Sequence, residues 1–207
     1  MKKVLLTAAA LFALTAFFAT AEDKNNSYSF LDNFAVEAHF ANTYPLGSAG
    51  DQLFSCVGFG LGAELTLPKK IKRFDIGFSF RMECLGYAAK GGSNLKGGCD
   101  TRWSPGFFMR LPFSVGKFDF AFMPEFFYGI AFKNPRWRDS SGLHGVYVDQ
   151  TIGVLPALRF AIPKTPVELD FAPLLMMNLE KSGPVFEAGF RLGAAWRFGE
   201  MKERKNE

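Results

Sequence analysis

Val57-Gly58-Phe59-Gly60-Leu61-Gly62-Ala63-Glu64-Leu65-Thr66-Leu67 alternates without a break. Every odd position is apolar, and every even one is glycine or polar. A period of two belongs to a β-strand, whose successive side chains point to opposite faces. The glycines are not a phosphate loop. That motif needs a strand-to-helix turn, and Gly58, Gly60 and Gly62 sit inside one unbroken alternation. Here they leave room on the polar face.

The same alternation returns along the chain, over Asn33–Tyr44, Ser55–Leu67, Arg73–Cys84, Arg102–Val115, Phe118–Phe132, Val146–Ile162, Val167–Leu179 and Phe186–Phe198. Segments of about 12 residues are each about 40 Å long. At a tilt of about 40° they rise about 30 Å, enough to span an outer membrane. The composition agrees, with 25 Phe and 21 Gly among 207 residues and no later run of apolar residues long enough for a membrane helix. The predicted fold is all-β, an eight-stranded antiparallel up-and-down transmembrane β-barrel over residues 33–198.

The connections alternate in length. Pro68–Lys72, Gly116–Lys117 and Pro163–Pro166 are short, Tyr44–Phe54, Ala88–Thr101 and Lys133–Gly145 are long, and Glu180–Val185 is intermediate. Membrane barrels keep short turns on the periplasmic side and long loops outside, so both chain ends are expected in the periplasm. Pro105, Pro112, Pro124, Pro156 and Pro173 cannot donate to a ladder and are expected at strand ends or bulges.

Residues 1–21 are read as a cleaved export signal: Met1-Lys2-Lys3, an apolar stretch from Val4 to Phe18, and Ala19-Thr20-Ala21 with cleavage after Ala21. Residues 22–32 are then an N-terminal periplasmic segment and 199–207 a charged periplasmic tail. Losing Lys2 and Lys3 lowers the formal net charge of +4 by two. That imbalance is too small to argue for nucleic acid. The localisation expected is the bacterial outer membrane.

Alternation alone does not say which face is inside; the charges do. Lysine is read only in turns, loops and tails, while the strand polar faces carry Arg, Asp and Glu. A confined lumen favours Arg, whose planar fork binds two carboxylates and tolerates desolvation. The predicted lumen network is Glu37, His39, Glu64, Asp75, Arg81, Glu83, Arg110, Glu125, Arg159, Glu168, Asp170, Glu187, Arg191 and Arg197. An eight-stranded interior is just wide enough for such side chains. Phe34, Phe118, Trp196 and Phe198 at the periplasmic end, and Tyr44, Trp103 and Phe132 at the outer end, suit interfacial girdles.

With these features the chain resembles the small eight-stranded outer-membrane barrels of the OmpA/OmpX/OmpW-like superfamily. The last strand, Phe186 to Phe198, is similar to the aromatic-ended insertion signal read by the barrel-assembly machinery, though a charged tail follows it. The resemblance implies outer-membrane lipid and that machinery as partners, and an extracellular ligand through the loops. The tail is too short for a peptidoglycan-binding domain.

Chemical motifs are sparse. Only His39 and His144 are present; barrel enzymes that remodel lipid A, which this chain resembles in size, need a Ser close to a His on the outer rim, but no H-x-S occurs and no Ser is placed near His39. No convergent metal ligands and no cofactor motif are found. Cys56 is expected inward and Cys84 outward, which disfavours a bond between them, so Cys84–Cys99 is the candidate disulfide. Lys69, Lys70, Lys72 and Arg73 form a basic turn, read as solvated. Lys133, Arg136 and Arg138 with Trp137, in the third long loop, are read as a contact for lipopolysaccharide phosphates or host polyanions. The leading expectation is a non-enzymatic barrel with an envelope-structural or surface-interaction role and a filled lumen. The alternatives are a narrow conduit for small hydrophobic molecules, as the resemblance to OmpW-like barrels implies, and a lipid-modifying enzyme.

Overall fold

A computed structural model describes residues 33–68, 71, 73–91, 95–137, 146–180 and 183–199. The predicted signal at 1–21, the 22–32 segment, Lys69, Lys70, Lys72, Arg138, His144 and the tail from Glu200 lie outside the described residues.

Eight strands close on themselves in sequence order. They are β1 (Phe34–Pro45), β2 (Leu53–Thr66), β3 (Asp75–Ala89), β4 (Leu95–Val115), β5 (Phe118–Trp137), β6 (Tyr147–Ala161), β7 (Val167–Glu180) and β8 (Gly183–Arg197). Every pairing is antiparallel, and β1 against β8, from Ala35↔Arg197 to Pro45↔Glu187, completes the ring. A short helix, α1 (Ser48–Gln52), sits between β1 and β2. Gly116, with φ of 63°, makes the tight turn between Val115 and its partner Phe118.

The apolar face points out. Phe59 is 71% exposed, and Leu61, Phe80, Phe107, Phe126, Leu158, Phe171 and Leu192 stand on the same outer surface. An apolar surface this continuous is far beyond what a soluble monomer carries. Aromatic pairs stand at both rims. Phe34 stacks on Phe198 at 5.9 Å and Phe118 meets Phe160 at 5.7 Å at one end, while Trp103 meets Phe132 edge-on at 5.8 Å at the other.

Two expectations need correction. First, β3, β4 and β5 run further than their alternation shows: β4 begins at Leu95 instead of Arg102, and β5 continues to Trp137. Lys96 and Lys133 therefore lie on strands. Above Trp103 the sequence turns to glycine, lysine and aspartate. Ladder pairing persists there, because backbone hydrogen bonds do not need an apolar face.

Second, of the prolines expected near strand ends or bulges only Pro112 lies near an end, that of β4; the others stand inside their strands. Pro124 and Pro156 are Cα partners inside β5 and β6. On the unbroken β6–β7 register Pro156 falls opposite Pro173, so the three form a line across three strands. Pairing between β6 and β7 stops at Val154↔Leu175 and resumes at Leu158↔Phe171 without inserting a residue. Two opposed prolines supply no N–H, which accounts for the gap.

Candidate functional site: the barrel lumen

The inward face holds the charges. Glu37, His39, Glu64, Asp75, Arg81, Glu83, Glu125, Arg159, Glu168, Asp170, Glu187, Arg191 and Arg197 are buried, and Arg110 is half-buried. Each lies on a strand position whose neighbours point to the outer face, so strand parity alone aims it inward.

At the centre two carboxylates are shared among several guanidinium groups. Arg159 donates from Nη1 to Glu64 at 2.8 Å and from Nη2 to Glu37 at 3.1 Å. Arg81 reaches Glu37 at 3.2 Å and Glu64 at 3.1 Å, and also binds Glu125, which accepts from Ser79 at 2.7 Å. Arg191 lies 3.4 Å from Glu37 and pairs with Asp170 at 2.8 Å. Nearer the short-turn end, Glu168 binds Arg197 at 2.8 Å and also Arg110, whose guanidinium lies 3.8 Å from Asp75. The network spans the barrel, drawing on all eight strands. Charges this dry persist only when each finds several partners, because desolvation costs several kcal/mol per ion.

His39 is held from both sides. Its Nδ1 lies 2.9 Å from Glu37, and its Nε2 lies 3.0 Å from Glu83, which also faces Arg102 at 3.5 Å. Gly60 makes this geometry possible, since a Cβ there would sit 2.3 Å from His39 Nε2 and 2.8 Å from the Met82 carbonyl oxygen. The ring is pinned, so it cannot swing clear. Gly60→Ala is expected to lower stability by about 1–3 kcal/mol, the range for overpacking. An unchanged unfolding midpoint would show that His39 is free to move.

Nearer the opposite end uncharged side chains join the network around Glu187. Thr43 donates to Glu187 at 2.8 Å, Asn178 also binds Glu187, and Thr151 donates to Asn178 at 2.7 Å. Lys133, read from the sequence as a loop cation for polyanions, instead engages Asp149 at 3.2 Å and Glu180 at 2.5 Å. Its charge is already matched by carboxylates, whereas Arg136 stays exposed.

Sequence reasoning missed one part of the lumen. Phe108, Met123, Phe127, Leu155, Leu174 and Met176, with Ala157 and Ala172, form a buried apolar cluster on the β4–β7 wall. They occupy the inward parity of their strands, so carrying the period of two through them would have found them. Asp100 and Arg102 are also buried. Asp100 was missed because the sequence reading ended that strand at Arg102. Among the described residues, no group of three or more His, Cys, Asp or Glu side chains is placed to hold a metal ion.

The chain is similar to small eight-stranded outer-membrane barrels. Neisserial surface protein A shares 16% identity, over 80% of this chain and 97% of that one, with a TM-score of 0.48. Ail, the attachment invasion locus protein of Yersinia pestis, solved in complex with the heparin analogue sucrose octasulfate, shares 11% over 80% and 98%, with a TM-score of 0.45. The outer membrane enzyme PagL shares 15% over 78% and 98%, with a TM-score of 0.45. At these identities the likeness is one of fold. No family model matches the chain, and no curated protein does.

Proposed function

We propose that this chain is exported by the signal at 1–21, cleaved after Ala21, and resides in the bacterial outer membrane as a non-enzymatic barrel. Its role is envelope-structural or surface-interacting, exercised through the outer rim and not through a pore. Outer-membrane lipid covers the apolar face, the barrel-assembly machinery inserts the chain, and an extracellular ligand would meet the loops.

The single observation that carries this reading is the ionic network crossing the lumen from wall to wall. Arg81 and Arg159 each bind Glu37 and Glu64, on strands from different sides of the ring. Opening a water channel there means separating buried ions whose partners have no replacement. The purified protein in a planar bilayer is expected to show no sustained unitary conductance. A stable pore of appreciable conductance would overturn the filled-lumen reading.

The apolar β4–β7 cluster favours a second reading, a narrow conduit for small hydrophobic molecules. At that level the lumen is filled by buried apolar side chains, which a small apolar molecule would displace without separating ions. Proteoliposomes that admit a small apolar reporter faster than protein-free vesicles would support it. Against a lipid-modifying enzyme stands His39, whose two ring nitrogens both face carboxylates. A histidine acting as general base needs one nitrogen for the nucleophile. An altered lipid A profile on deleting the gene would reverse that judgement.

A further inference from the structure

We infer that Cys84 and Cys99 are joined by a disulfide in the exported protein, a covalent staple on the outer face of the β3–β4 hairpin. The inference rests on the export reading above, because the bond persists only in an oxidising compartment.

Three observations converge on this pair. The ladder sets Cys84 opposite Thr101 and Gly86 opposite Cys99, so the cysteines are diagonal neighbours on adjacent strands. Strand parity turns both outward, and their Sγ atoms lie 3.1 Å apart, with both thiols reduced in this structure. A disulfide needs about 2.04 Å, so about 1 Å of approach remains. The backbone beside Cys99 can supply it. Gly97 and Gly98 precede it, Gly97 has φ of 149°, and the β4–β5 register shifts between Leu95 and Gly97. The third thiol is not a competitor, because Cys56 is buried on the inward face of β2 beside Ala41 and Leu85.

The oxidant is a protein disulfide donor of the exporting compartment. One cysteine thiolate attacks a donor sulfur, forms a mixed disulfide and releases one donor thiolate. The second cysteine's thiolate then displaces the remaining donor sulfur. Two protein thiols are oxidised, one donor disulfide is reduced to two thiols, and the two protons pass to the donor. Because Cys84 faces the apolar surround, this exchange belongs before or during barrel assembly, while both thiols are still accessible.

The trypsin sites at Arg81, Lys90, Lys96 and Arg102 place the two cysteines on separate peptides, 82–90 and 97–102. Cells are acid-quenched, and their outer membranes are dissolved in SDS with excess alkylating agent so that buried thiols also react, then digested without reductant. Peptides 82–90 and 97–102 should be recovered linked, separating only on reduction, with Cys56 alone alkylated. Alkylation of all three thiols in outer-membrane material would overturn the pairing. So would a bond that includes Cys56.

A second arm separates this from the export reading. Reduced chain, refolded into detergent in the presence of a reduced and oxidised glutathione mixture, should form the same linked pair wherever the protein resides in the cell. A refolded barrel that forms only glutathione adducts, or dimers, would sink the inference on geometry alone. Cys99→Ser should leave Cys84 and Cys56 both alkylated and abolish the linked peptide.

Discussion

Replacing Arg159 with Met is expected to destabilise the folded barrel by about 3–5 kcal/mol, the cost of removing one partner from a buried ionic group. Arg159 is fully buried and contacts Glu37, Glu64 and Glu168 at once. Met keeps most of the volume, so the deficit reports charge and not a cavity. Glu64 would retain Arg81 at 3.1 Å and Arg197 at 3.7 Å, but its closest guanidinium would be gone. The readout is the urea midpoint of the refolded barrel, followed by tryptophan fluorescence. Adding Glu64→Gln should recover part of the loss, because it removes the carboxylate left underpaired, and contacting residues couple by about 0.5–3 kcal/mol. A single-mutant loss under about 1 kcal/mol would mean that water solvates the centre of the lumen.

Five residues earlier on the same strand the sign of ordinary protein chemistry reverses. Val154→Arg places a charge at an exposed position, 42% accessible, where a soluble protein would accept it with little change. Val154 lies at the middle of β6, between Phe126 and Leu175 on the outer face. If that face meets hydrocarbon, the substitution should cost about 2–4 kcal/mol, the range for Arg near a bilayer midplane. Unfolding in phospholipid vesicles measures it. A change within about 0.5 kcal/mol, as at ordinary exposed sites, would place the outer face in water and remove the membrane reading. Residues 154 and 159 thus test opposite faces of one strand, with apolar and charged groups exchanged.

The strands were legible because the alternation is strict where both environments are extreme, lipid on one side and a crowded lumen on the other. Val57 to Leu67 needed no other information. Legibility failed where either environment relaxes. Above Trp103 the outer face no longer needs apolar residues, so the extension through Lys96 and Asp100 looks like a loop. On the β4–β7 wall the lumen is itself apolar, so Phe108, Met123 and Leu155 blur the contrast between faces without changing their direction. The charged lumen residues were legible as a set because the parity of each strand fixes their facing. Which of them meet was not, since Arg159 and Glu37 are 122 residues apart and meet only through closure of the ring. Nor was the inward turn of Lys133, which depends on Asp149 and Glu180 arriving from two further strands.

A closed barrel is usually credited with having no edges. The line of Pro124, Pro156 and Pro173 qualifies that, because between Val154↔Leu175 and Leu158↔Phe171 neighbouring strands run side by side without a ladder. Lipid tails offer no hydrogen bond in exchange, and the lumen behind is lined by Leu155, Ala157, Ala172 and Leu174. At that height β6 and β7 are joined by side-chain contact alone. Spreading the wall there disturbs only packing, whereas at the paired levels it must also break backbone bonds. The cylinder therefore has a short seam at this height between β6 and β7.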